Sequence, residues 1–246
     1  MAIIKCTHKT SALGKSVDVN VIIPNNPSTD KMKVLYLLHG LSDNNTEWQR
    51  YTSIERYMRN ANDTIVVMPD GGRSFYTDMV HGGKYYTYIS KELPEFINSL
   101  FRTSGKREDT YIAGLSMGGY GAFKLALRNP DKYYAAASFS GVLDIAAHLN
   151  MEGDWQKEAV AILGEDFSME TSEENLLYLL KKEFKIKPKL LQMCGTEDFL
   201  YADNVKFEKE AREKGFDLEY FEAPGDHNWD FWDMCIKRAL EFFGIV

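Results

Sequence analysis

The stretch TYIAGLSMGGYGAFKLALR, Thr110 to Arg128, decides the architecture. Residues 110–116 read as a short buried strand, and from Met117 to Arg128 apolar residues return at three-to-four spacing, so a strand passes directly into a helix. At the junction stands GLSMG, a Gly-x-Ser-x-Gly pattern centred on Ser116. A bare match arises by chance too often to mean much; the strand before it and the helix after it give it weight. A residue at so sharp a turn is strained, and small residues two before and two after let neighbouring backbone approach without a Cβ in the way. The turn lifts Ser116 Oγ to the carboxyl end of a sheet, while the N–H of Met117 opens the helix where negative charge is favoured.

Outward from this unit the rhythm repeats. VDVNVII (17–23) alternates like a half-buried edge strand, and KVLYLLHG (33–40), TIVVMPDG (64–71), YAAASFSG (134–141), KLLQMCG (189–195) and DLEYFEA (217–223) read as further strands. Helical spacing falls between them at 47–60, 86–102, 204–214 and 229–243, with Pro94 implying a kink or a later start in the second. Strands alternating with helices predict an α/β fold with a mostly parallel sheet covered on both faces. Residues 149–187 break the rhythm and are expected to form a small cap or insert.

With 246 residues, 44% hydrophobic and 26% charged, the chain suits a single domain over 1–246 and excludes a disordered or fibrous class. A formal charge of −7, with no Lys/Arg-dense block read in the chain, argues against nucleic acid as a partner. No apolar run nears the roughly 18 residues of a membrane span, and MAIIKCTHKT lacks the pattern of a signal peptide, so no membrane association and a cytoplasmic location are expected. Cys6, Cys194 and Cys235 show no CxxC spacing, which suits reduced thiols and no zinc. Gly71, Gly72 and Arg73 read as a turn, since no GxxxxGK[ST] appears, and HGGKYY around His81 lacks metal-ligand spacing.

A nucleophilic serine needs a base and a group to orient that base, and in strand–nucleophile–helix sheets the order is Ser, then Asp or Glu, then His. Only His148 and His227 follow Ser116. His227, in the loop APGDHNW, is the expected general base, whereas His148, in DIAAHLN, sits at a spacing suited to packing. CGTEDF places Glu197 and Asp198 just past a strand, and Asp198 is favoured as the acid. Asp144, beyond a neighbouring strand, is the rival, while Asp226 beside the histidine better serves the loop backbone. The loop HGLSDNN should offer the second oxyanion donor from the N–H of Leu41, joining that of Met117, with the His39 side chain bracing the loop. Trp48, Tyr76, Phe199 and Trp229 lie beside these motifs and are candidates to line a substrate pocket, with half-buried packing the competing reading for each.

These residues resemble the esterase D family of α/β-hydrolases, and within it the bacterial tributyrin esterase branch. The likeness runs through YLLHGLSDNNTEW, IVVMPDGGRSFYTD, YYTYISKELPEFI, REDTYIAGLSMGGYGAFKLAL, AASFSG, CGTEDFLY and GDHNWDFW, nearly the whole chain. The resemblance implies an α/β-hydrolase fold, a triad on Ser116, Asp198 and His227, oxyanion amides on Leu41 and Met117, and no cofactor or metal. It implies a serine carboxylesterase for short-chain acyl esters of the tributyrin type, with acetylated or feruloylated sugars among the substrates of relatives. The related S-formylglutathione hydrolases carry Pro-Asp-Thr-Ser and a longer insert where this chain has Pro69, Asp70, Gly71 and Gly72, which lowers the expectation of such a thioesterase. An acyltransferase on the same fold is the other alternative, a scaffold without turnover a more distant one. A small acyl ester is the expected partner, and the reading leaves room for a homo-oligomer.

Overall fold

The computed structural model describes residues 1–148 and 154–246, with side chains described outside 149–155. Residues 149–153 of the expected insert therefore lie outside the described residues. Eight strands form one sheet: β1 (Ala2–Thr10), β2 (Lys15–Ile23), β3 (Lys33–Leu38), β4 (Thr64–Pro69), β5 (Thr110–Leu115), β6 (Ala135–Phe139), β7 (Lys189–Gly195) and β8 (Leu218–Ala223). Their order across the sheet is β1-β2-β4-β3-β5-β6-β7-β8. The pairs β1/β2 and β2/β4 are antiparallel and every pair from β4 to β8 is parallel, as in the α/β-hydrolase fold.

The expectation that 17–23 forms an edge strand is corrected, because β1 pairs along the whole of its outer side. The central strands are buried on both faces. Val34, Tyr36 and Leu38 of β3 join one core and Leu35 and Leu37 the other, the alternation a pleated strand requires.

The expected helix over 47–60 is broken into α1 (Glu47–Tyr51), α2 (Ile54–Tyr57) and a tight turn at Met58–Asn60. The break falls where Thr52 Oγ1 donates to the carbonyl of Trp48 and the Ser53 N–H donates to Asp233 Oδ1 at 2.7 Å. Pro94 has the effect anticipated for a residue without an N–H: α3 (Tyr85–Thr87) passes through a wider π-type turn at Tyr88–Glu92 before α4 (Leu93–Phe101), with the proline in the first turn of α4. The helix that Ser116 opens is α5 (Met117–Arg128).

Between β6 and β7 lie α6 (Ile145–His148), α7 (Asp154–Leu163) and α8 (Leu176–Leu179). The last-turn carbonyls of Ala161 and Ile162 in α7 accept from the N–H groups of His81 and Val80 at 2.9 and 3.0 Å, so this insert docks on the loop beyond β4. A second anchor is buried. Lys124 of α5 is fully enclosed and donates to Glu174 Oε2 at 2.6 Å, Thr77 Oγ1 at 2.6 Å and the Phe75 carbonyl at 2.9 Å, while Arg128 donates to Glu174 Oε1 at 2.9 Å.

The sequence KKEFKIKPK (181–189) is a basic run that the charge reading above passes over. Lys182 pairs with Glu173 and Lys187 donates to the carbonyls of Lys214 and Gly215, tying the run to the end of α9 (Tyr201–Glu213). The last helix is α10 (Trp229–Phe242), which packs with α2 on the face opposite α5. No helix among the described residues is long and apolar enough to cross a membrane.

Candidate active site

Sheet register brings the site together. Leu38 pairs with Gly114, Leu115 with Phe139 and Gly195 with Ala223, so the loops leaving β3, β5, β7 and β8 emerge at one end of the sheet. Ser116 sits at φ 51°, ψ −117°, the strained turn its motif requires. The flanking glycines make the turn feasible. A Cβ on Gly114 would lie 2.4 Å from the Gly118 carbonyl oxygen, and one on Gly118 would lie 2.5 Å from that of Leu38. The loop after β3 thus packs against the start of α5.

The Ser116 hydroxyl donates to His227 Nε2 at 3.0 Å. On its other side the imidazole donates from Nδ1 to Asp198 Oδ2 at 2.9 Å and Oδ1 at 3.1 Å. An ionised carboxylate only accepts, so this pairing places the neutral ring's proton on Nδ1 and leaves Nε2 free to accept. Burial alone would push the Asp198 carboxyl up, but the hydrogen bond from His227, with that of the Leu200 N–H at 2.9 Å, holds it below the ordinary carboxylate range. The loops that carry Asp198 and His227 are joined by backbone: the Thr196 N–H donates to the Ala223 carbonyl at 3.0 Å and that of Glu197 to the Gly225 carbonyl at 3.1 Å.

The rival residues are engaged elsewhere. Asp144 pairs with Lys206, and His148 with Asp203 on α9 at 2.6 Å. Asp226 Oδ1 accepts the His227 N–H at 2.7 Å, the loop role expected of it.

Two of the aromatic candidates are corrected. Trp48 and Tyr76 are 1% and 0% exposed, so neither lines an open cleft. Each holds the loop after β3 from behind, Trp48 Nε1–H donating to the Leu38 carbonyl at 3.0 Å and the Tyr76 hydroxyl to the His39 carbonyl at 2.9 Å. Phe199, by contrast, is 71% exposed with its ring 4.6 Å from that of His227, and Trp229 is half-buried, stacked on Tyr51 at 5.2 Å. Sequence reasoning passed over Trp232, whose ring meets His227 edge-on at 4.9 Å, although it follows Trp229 by three helical positions. It also left Arg73 in a turn. Arg73 pairs with Glu158 on α7 and reaches the Leu41 carbonyl at 3.4 Å. The N–H groups of Leu41 and Met117 donate to no protein acceptor among the described residues.

A hydroxyl bonded to an imidazole that is itself oriented by a buried carboxylate can act as a nucleophile toward a carbonyl. The family model described as "Putative esterase" matches residues 10–243. The chain belongs to this esterase family. An acetyl esterase from Caldicellulosiruptor saccharolyticus is 30% identical to this esterase over 265 aligned positions, covering 100% of this chain and 99% of that protein. The substrate-bound fluorophosphonate-binding serine hydrolase FphF of Staphylococcus aureus is 37% identical, with a TM-score of 0.91 and 98% of each chain covered. The S-formylglutathione hydrolase FrmB of S. aureus, as apoenzyme, gives 37% identity and a TM-score of 0.88 over 98% of each chain. The esterase is thus an enzyme of the serine-hydrolase kind.

Proposed function

We propose that this esterase hydrolyses short-chain acyl esters through an acyl-enzyme on Ser116. The observation that carries the reading is the unbroken line from Ser116 Oγ through His227 to the buried Asp198. Ser116 attacks the ester carbonyl as its proton passes to His227 Nε2, and Asp198 stabilises the imidazolium that forms. The Leu41 and Met117 amides receive the oxyanion; losing one such donor costs about 10² to 10³ in turnover. His227 then gives its proton to the leaving alcohol and activates water for the second half. Phe199 and Trp229, beside the base, are proposed to contact the leaving group. The acetyl esterase relative supports a small acyl group.

The test is hydrolysis of p-nitrophenyl esters from acetate to octanoate by the wild type and Ser116→Ala. An optimum at short acyl chains that vanishes in the variant is expected; equal rates in the two proteins would overturn the reading. The likeness to FrmB favours a second substrate, the thioester S-formylglutathione, despite the missing insert after β4. A kcat/KM for S-formylglutathione well above that for p-nitrophenyl acetate would make it the preferred one.

A further inference from the structure

Four consecutive carbonyls, of Leu38, His39, Gly40 and Leu41, each accept from a different side chain: Trp48, Tyr76, His39 and Arg73 in turn. The third of these bears on the chemistry, because the Gly40 carbonyl and the Leu41 N–H belong to one planar peptide and point in opposite directions across it. Whatever holds the Gly40 oxygen aims the Leu41 N–H. His39 does so with a buried ring 1% exposed, its Nδ1 lying 2.7 Å from the Gly40 oxygen. Its Nε2 lies 2.8 Å from the backbone nitrogen of Gly71, in the loop after β4. Asp70 Oδ1 also faces Nε2 but at 3.6 Å, beyond hydrogen-bond reach, so the two backbone partners fix the tautomer: a backbone N–H can only donate and a carbonyl can only accept, which leaves Nε2 bare and puts the proton on Nδ1. Asp43 holds the same glycine, its Oδ2 accepting the Gly40 N–H at 3.1 Å and its own N–H donating to the Gly40 oxygen at 3.3 Å.

We propose that His39 is a positioning residue that aims the Leu41 N–H at the oxyanion, its tautomer set from the far side of the ring by the Gly71 amide. The proposal rests on Leu41 being an oxyanion donor as read above. It separates His39 from a mere space-filler, because its two nitrogens do different things and two amide side chains can copy them one at a time. In His39→Asn the side-chain N–H₂ falls near Nδ1 and can still donate to the Gly40 oxygen. In His39→Gln the amide reaches the Nε2 position and can accept from Gly71, leaving the Gly40 oxygen without its side-chain donor.

Ester turnover, fluorophosphonate labelling rate and affinity for an alkylboronic acid, which forms a tetrahedral anion on the serine, are measured for the wild type and both variants. His39→Asn should stay within about tenfold of the wild type. His39→Gln should lose about 10²-fold in kcat, the effect of one misplaced oxyanion donor, with KM little changed and boronate affinity falling in parallel. Equal activity in the two variants, or a loss confined to KM, would overturn the role of His39 while leaving the serine chemistry standing. A wild type without labelling at Ser116 would instead overturn the reading of the site, and His39's role with it. Nitrogen NMR of histidine-labelled wild type reads the tautomer without any variant having to fold: a protonated Nδ1 and bare Nε2 are expected, and the reverse would overturn the proposal.

Discussion

At Asp198 the balance of forces is visible in a single side chain. It is enclosed, which disfavours its charge, yet the bonds from His227 and the Leu200 N–H keep it ionised. Asp198→Asn would preserve the shape of the site while offering the ring an amide in place of a carboxylate, allowing the wrong tautomer; kcat is expected to fall by about 10⁴. Ester kinetics with a circular dichroism spectrum matching the wild type would check it, and a loss under tenfold would contradict the assignment. That Ser116, His227 and Asp198 would come together was legible in the chain because each stands in a turn or loop leaving the same end of the sheet, with recognisable turn chemistry. Trp48 and Tyr76 were not. An aromatic residue beside a motif can face the cleft or brace the loop from behind, and which it does depends on how distant strands pack.

At the level of elements, the insert between β6 and β7 is anchored to α5 by an ion pair whose lysine is fully enclosed and whose carboxylate is largely buried. Burial pushes Lys124 down to about 8, while burial pushes Glu174 up and is outweighed by the charge and hydrogen bond of Lys124 and the charge of Arg128, which leave it below its ordinary value. A carboxyl lowered in the folded state takes up its proton at lower pH than in the unfolded chain. The stabilisation is therefore complete above its ordinary range and is lost as the pH falls through the folded value. Glu174→Gln should cost about 3 kcal/mol at neutral pH, and the gap in melting temperature from the wild type should narrow toward pH 4; a constant gap would contradict this. Strands β2 to β8 and α5 could be read in advance because burial on one or both faces writes a period into the sequence. β1 could not, since its residues are mostly exposed or half-buried and its alternation is correspondingly faint. The break between α1 and α2 depends on Asp233 of the distant α10, which no local pattern announces.

For the molecule as a whole, two of the three thiols are closed off: Cys194 and Cys235 are 0% exposed and Cys6 is partly open. A thiol reagent should modify Cys6 in the native protein and all three cysteines after unfolding in guanidinium; native reaction at Cys194 or Cys235 would mean that the sheet opens locally. The order of strands was only partly legible, because adjacency across a sheet is a long-range property that periodicity does not encode. The turn at Ser116 has a further consequence for the molecule's history. A non-glycine residue held there costs the fold on the order of 1 to 3 kcal/mol, so Ser116→Gly should melt higher than the wild type while losing ester turnover. A library screened for heat resistance alone would drift toward glycine at this position; a screen that also scores turnover would reject it. A serine at this turn would survive in a lineage only while turnover is selected for.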